Sequence, residues 1–168
     1  EKDDYLRAIP LLEELITVYR GTSKAEELYF YYAYCEYYIE DYMMASHRFN
    51  KFTSMYPTSK HVEECDFMSA YCHYLNSPKY SLDQKDTYTA IDELQLFMNK
   101  YPNSGKIDSC NTLMDQLRFK LEQKAYHIAK QYYHTRHYQA AVQAFENLLN
   151  DFPETQYQEE LLFLTIKA

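Results

Sequence analysis

Residues 42–60, YMMASHRFNKFTSMYPTSK, decide the fold. Tyr42, Ala45, Phe49, Phe52 and Tyr56 stand at offsets −3, 0, +4, +7 and +11 from the alanine, which is the spacing of one stripe along an α-helix. Pro57 ends the stripe, because proline cannot continue the hydrogen-bond ladder and drives its predecessor out of the helical region. The pattern recurs around Ala8, Ala90 and Ala141. Leu12, Leu94 and Phe145 follow these anchors by four residues, and Leu15, Phe97 and Leu148 by seven. Tyr19, Tyr101 and Phe152 follow by eleven, each succeeded by Arg20, Pro102 or Pro153. A recurring internal pattern of this kind marks a stack of helix pairs.

A second helix is expected after each stop, with Thr22-Ser23, Thr58-Ser59, Asn103-Ser104 and Thr155 as capping residues. Ser23 with Glu26, and Thr155 with Gln158, have the spacing of a capping box. The pairs Glu26-Glu27, Glu63-Glu64 and Glu159-Glu160 fall in first turns, where the helix dipole favours acids. Two second helices match directly, since Ala33-Tyr34-Cys35 returns as Ala70-Tyr71-Cys72. The expected fold is therefore all-α, a tetratricopeptide-type helix-pair solenoid. It has about four repeats, spans 1–168 as one domain, and is cut mid-repeat at both ends.

The anchors are 37, 45 and 51 residues apart. The eight extra residues of the second interval are assigned to an inserted loop at 76–85, where Asn76-Ser77-Pro78 and Ser81-Leu82-Asp83 break helices. The fourteen of the third contain no glycine or proline, and fourteen residues make nearly four whole turns. One long helix over 106–135 is expected, about 45 Å at 1.5 Å per residue.

Composition excludes several functions. Gly21 and Gly105 are the only glycines, too few for a glycine-rich phosphate loop or a nucleophile elbow. A net charge of −8 disfavours a nucleic-acid partner. No apolar run reaches the ~20 residues of a membrane span. Cys35, Cys65, Cys72 and Cys110 form no C-x-x-C and read as small buried hydrophobes. His127, His134 and His137 cluster in sequence, yet no acid or cysteine completes a metal set at fixed spacing. Neither a catalytic constellation, a cofactor site nor a metal site is expected.

Twenty tyrosines and nine phenylalanines stand out. Phe30, Tyr34 and Tyr37 share one helix face, and Phe67, Tyr71 and Tyr74 share the equivalent face one repeat later. Segment 28–39 is apolar all round except at Glu36, as suits a buried helix that also lines a groove. The six rings are the candidate peptide-binding groove. Charge is uneven: residues 1–105 carry net −7, 106–137 net +3 and 138–168 net −4. Arg118, Lys120 and Lys124 on the one basic helix are the candidates for docking an acidic partner.

The steps Tyr-Pro-Thr-Ser, Tyr-Pro-Asn-Ser and Phe-Pro-Glu-Thr, the insert with Ser81-Leu82-Asp83, and the long helix running into Ala125-Tyr126 and Tyr132-Tyr133 occur in order. Together they resemble the BamD family, the outer-membrane lipoproteins of the β-barrel assembly machinery, in a tyrosine-rich wording similar to Bacteroidetes versions. The resemblance implies a non-enzymatic scaffold on the periplasmic face of the outer membrane, held by a lipid on a cysteine upstream of this chain. It further implies that N-terminal repeats bind the targeting strands of unfolded barrel proteins, while C-terminal repeats dock the central barrel component, BamA, and other assembly subunits. The alternative is another periplasmic tetratricopeptide adaptor, such as the cell-division coordinator of the Tol–Pal system, from which more even repeat spacing is expected.

Overall fold

The computed structural model describes residues 2–168; residue 1 lies outside the described residues. The described chain is all-helical, as expected for tetratricopeptide-type helix pairs. In order the helices are α1 (Lys2–Val18), α2 (Ser23–Tyr38), α3 (Tyr42–Met55), α4 (Val62–Asn76), α5 (Lys85–Lys100), α6 (Ile107–His134), α7 (Tyr138–Asp151) and α8 (Gln158–Lys167). The long helix runs unbroken for 28 residues as α6, and residues 77–84 form the connection where the insert was placed.

Two compact units divide the chain. The first comprises residues up to Pro78 together with Lys85–Met114; the second comprises Lys79–Gln84 and Asp115–Ala168. In the first, each helix packs on its successor from α1 to α5. Its core joins Tyr29 and Ala33 of α2, Ala45, Phe49 and Phe52 of α3, and Cys65, Met68 and Cys72 of α4. In the second, Tyr126 and Ala129 of α6 meet Ala141, Phe145 and Leu148 of α7 and Leu161 of α8. Ala45, Ala90 and Ala141 are fully buried, whereas Ala8 is half-exposed. All four cysteines are buried free thiols. Burial pushes the Cys72 thiol up to about 12 and raises the other three as well.

The aromatic-proline steps act as read. Tyr56 and Phe152 leave the helical region at φ −127° and −131°, while their N–H groups still close the last turns on Phe52 and Leu148. A β-turn follows each stop, proline taking its second position. The N–H groups of Ser59, Ser104 and Thr155 donate to the carbonyls of Tyr56, Tyr101 and Phe152 at 3.0, 3.0 and 3.1 Å.

The capping expectation is corrected. Ser23 lies inside α2, and the cap positions Thr22, His61 and Tyr157 make no side-chain cap bond, so neither capping box forms. Ser59, Ser104 and Thr155 instead accept the N–H of the residue two positions on, as turn formers do. Each then donates its hydroxyl to a glutamate of an earlier helix: Ser59 to Glu26, Ser104 to Glu63 and Thr155 to Glu122. The second acid of a pair accepts from the other side, from a tyrosine of an earlier helix. Tyr34 donates to Glu64, and Tyr126 donates to Glu160, which also pairs with Lys130 at 2.9 Å. Glu26, Glu63, Glu64 and Glu160 of the acidic pairs thus tie successive helices together, beyond any favourable placement at a helix start.

Two hairpins between paired helices use a non-glycine left-handed residue, Glu40 at φ 69° and Arg136 at φ 63°. Asp41 N–H reaches back to the Glu36 carbonyl, and His137 N–H to that of Tyr132, the six-to-one bond of a Schellman ending.

Two stability outcomes follow from this packing. Ala45→Leu is expected to cost about 1–3 kcal/mol by overpacking the α3 core position, whereas Lys51→Ala, at an exposed site on the same helix, should shift the urea midpoint little. Equal shifts would refute the crossing assigned to Ala45. Thr155→Val should cost about 1–3 kcal/mol, because Thr155 is buried and its bond partner is charged. A double-mutant cycle with Glu122→Gln checks this; strictly additive losses would show that the bond contributes nothing.

Candidate functional site

The six aromatic residues marked from the sequence lie in the first unit. All are half-buried, and their rings form one connected run. Phe30 meets Tyr34 at 4.9 Å, Tyr34 meets Tyr37 at 6.3 Å, and Tyr37 crosses to Tyr71 of α4 at 6.4 Å. Tyr71 is stacked between Phe67 at 5.9 Å and Tyr74 at 5.7 Å, with interplanar angles of 8° and 12°. Ring edges and faces at these separations attract beyond simple area burial. Tyr38, which the face pattern left out, extends the run to α1 by stacking on Tyr5 at 4.8 Å.

The two halves of the run differ in their surroundings. Phe30 is pinned by Phe52 and by the His61 ring at 4.2 Å. Tyr34 packs edge-on against the buried Phe49 and spends its hydroxyl on Glu64. Both therefore brace α2 against α3 and α4. Tyr71 and Tyr74 stack along α4 and offer ring surface at the half-buried edge.

Glu36, the lone charge in segment 28–39, is 7% exposed. Burial raises its carboxyl above the ordinary carboxylate range, and the positive charge of Arg48 partly offsets this. The Arg48 guanidinium lies 4.6 Å over the Tyr32 ring and 3.9 Å from Glu13, to which Tyr32 donates its hydroxyl. Arg48 thus pairs with Glu13, and its positive charge also acts on the buried Glu36 inside the first unit. The periodicity of α2 flags Glu36 but gives no view of the charge that acts on it.

The basic candidates lie on α6 in the second unit. Lys120 and Lys124 are four residues apart and share a face, while Arg118 is exposed on another side. The Lys124 ammonium donates to the Leu82 carbonyl at 2.5 Å, and burial lowers the Lys120 ammonium. The three do not make one patch. His127 stacks on Tyr80 at 4.7 Å; His134 ends α6 and His137 precedes α7. Among the described residues no group of three or more His, Cys, Asp or Glu side chains is arranged to hold a metal ion. No described helix is long and apolar enough to cross a membrane.

A family of outer membrane lipoproteins, YfiO, matches residues 1–168. No curated protein matches the chain.

The Glu36 environment sets a pH dependence. Its folded carboxyl takes up a proton at a higher pH than the unfolded one, so its contribution to stability is full below the unfolded value near 4.5 and is lost as pH rises through the folded value. Glu36→Gln should therefore raise the urea midpoint at pH 7.5, with a gain that shrinks toward pH 4. A lower midpoint at pH 7.5 would mean that attraction to Arg48 outweighs the desolvation of the carboxylate.

Proposed function

Because the chain belongs to the YfiO family of outer membrane lipoproteins, the BamD family of the barrel assembly machinery, we propose that it acts as a non-enzymatic scaffold that receives unfolded barrel proteins. The first unit binds their terminal targeting strands, and the basic helix α6 docks a BamA-like central component through the face that carries Lys120 and Lys124, with Arg118 contributing from another side. Other assembly subunits complete the complex, and a lipid upstream of this chain holds it at the periplasmic face of the outer membrane. The family match does not favour the Tol–Pal coordinator.

One observation carries the peptide-binding half: the connected run of six half-buried rings over α2 and α4. Rings packed on one side and open on the other suit the alternating aromatic residues of a barrel strand. Tyrosine tips add hydrogen-bonding groups that an extended backbone can use. Because the rings are already held against one another, little side-chain entropy remains to be lost on binding.

Tyr71 and Tyr74 are the residues to change, since their rings stack on each other along α4 at the half-buried edge. The double substitution Tyr71→Ala with Tyr74→Ala should raise the Kd for a fluorescent barrel-terminal peptide about tenfold or more, equivalent to ~1.4 kcal/mol. Titration beside a circular dichroism spectrum checks it. Unchanged affinity in a fully helical double mutant would reduce the rings to packing.

A further inference from the structure

The connection 77–84 is tightly built. Gln84, 3% exposed, turns its carboxamide back onto the loop and donates to the carbonyls of Lys79 and Leu82 at 2.9 and 3.1 Å. The Leu82 N–H closes a turn on the Lys79 carbonyl. Lys124 of α6 clasps Leu82, and the Tyr80 ring lies on the His127 imidazole with an interplanar angle of 11°. The loop thus holds Tyr80 upright on the α6 surface, with an open cleft on either side. One cleft, of about 560 Å³, is bordered by Tyr80, Lys124, His127, Ile128 and Tyr132. The other, of about 400 Å³, is bordered by Lys79, Tyr80, Gln116, Phe119 and Lys120.

The two clefts share an unusual chemistry for a chain of net charge −8. Phe119, Ile128 and Tyr132, which border them, are each 42–45% exposed, while no carboxylate borders either cleft among the described residues. Lys124 is bonded to a neutral carbonyl, so its charge is not cancelled. Apolar walls beside the Lys79 and Lys124 cations fit a segment that carries both acids and large apolar side chains. We infer that the paired clefts beside Tyr80 seat an extended acidic segment of a partner protein, one apolar or aromatic side chain entering each cleft. Two separate lysines in walled pockets, Lys79 and Lys124, suit a peptide better than a lipid surface, which calls for a denser basic cluster. The inference rests on α6 being a docking element and specifies what docks there.

A phage-displayed library of random twelve-residue peptides, panned on the immobilised full chain, tests it. Recovered peptides should combine Asp or Glu with Phe, Tyr or Leu. Their binding should fall about tenfold or more in Tyr80→Ser and in Lys79→Glu; the second variant leaves the loop's own bonds intact, since Lys79 contributes only its carbonyl to them. Peptides without acidic bias, or peptides binding both variants as tightly as the parent, overturn it. So does binding of phosphatidylglycerol vesicles that depends on Tyr80 and Lys79 when no peptide is recovered. Parallel titration of the periplasmic domains of a BamA-like component separates the two readings. Domains that bind parent and Tyr80→Ser equally leave docking standing and remove the clefts. Peptides sensitive to Tyr80, with domains that do not bind, leave the clefts standing and remove that partner.

Discussion

A pair of short helices cannot bury its apolar stripes alone, so each pair depends on its bond to the next. Here that bond is specific: a turn hydroxyl one residue pair beyond the aromatic-proline stop donates to a carboxylate of an earlier helix. The turn fixes the hydroxyl through two backbone bonds before it reaches the carboxylate, so little freedom remains to be lost when the contact forms. Everything else in the packing is consistent with this spacing. The buried alanines permit close crossing, and the rings fill what the crossing leaves. The Tyr34–Glu64 and Tyr126–Glu160 bonds add a second tie beside the first.

The linkage also explains where extra residues are accommodated. Ser59 reaches Glu26 across 33 positions and Thr155 reaches Glu122 across 33, whereas Ser104 reaches Glu63 across 41. The eight additional residues bulge out as the 77–84 connection and leave the bond intact. The fourteen in α6 behave differently. Ser104 in the turn before it and Cys110 in its first turn correspond to Ser59 and Cys65, while Glu122 and Ala129 farther along correspond to Glu63 and Ala70. One helix therefore carries two repeat registers in series. The division between compact units falls between Met114 and Asp115, inside the interval that separates them.

Much of this was readable in the sequence, because helix stripes and proline stops act locally. The anchors Ala45, Ala90 and Ala141, the stops at Tyr56 and Phe152, and the length of α6 needed only periodicity and chain chemistry. The hydroxyl–carboxylate ties were misread as caps, since serine, threonine and glutamate at helix starts serve both purposes and the true partner lies a repeat away. The left-handed hairpins at Glu40 and Arg136 gave no glycine signal. For the candidate site, face periodicity grouped six rings, and these rings touch in one run. It gave no view of the bond that commits the Tyr34 hydroxyl to Glu64. On α6 the lysines were visible, but Lys124 is held by a backbone carbonyl, a partner no side-chain pattern reveals. Tyr80 was passed over because it sits in a loop with no period at all.

The buried thiols have a consequence for kinetics. Cys35, Cys65, Cys72 and Cys110 all belong to the first unit, on α2, α4 and α6. A thiol that is shielded and held in its protonated form reacts only during moments when its surroundings open. Their rates of alkylation in the native state therefore measure the opening free energies of those helices, without any added label. Because the second unit contains no cysteine, its fluctuations are silent in the same experiment. The chain thus carries four internal clocks, all of which time the breathing of the half that bears the aromatic run.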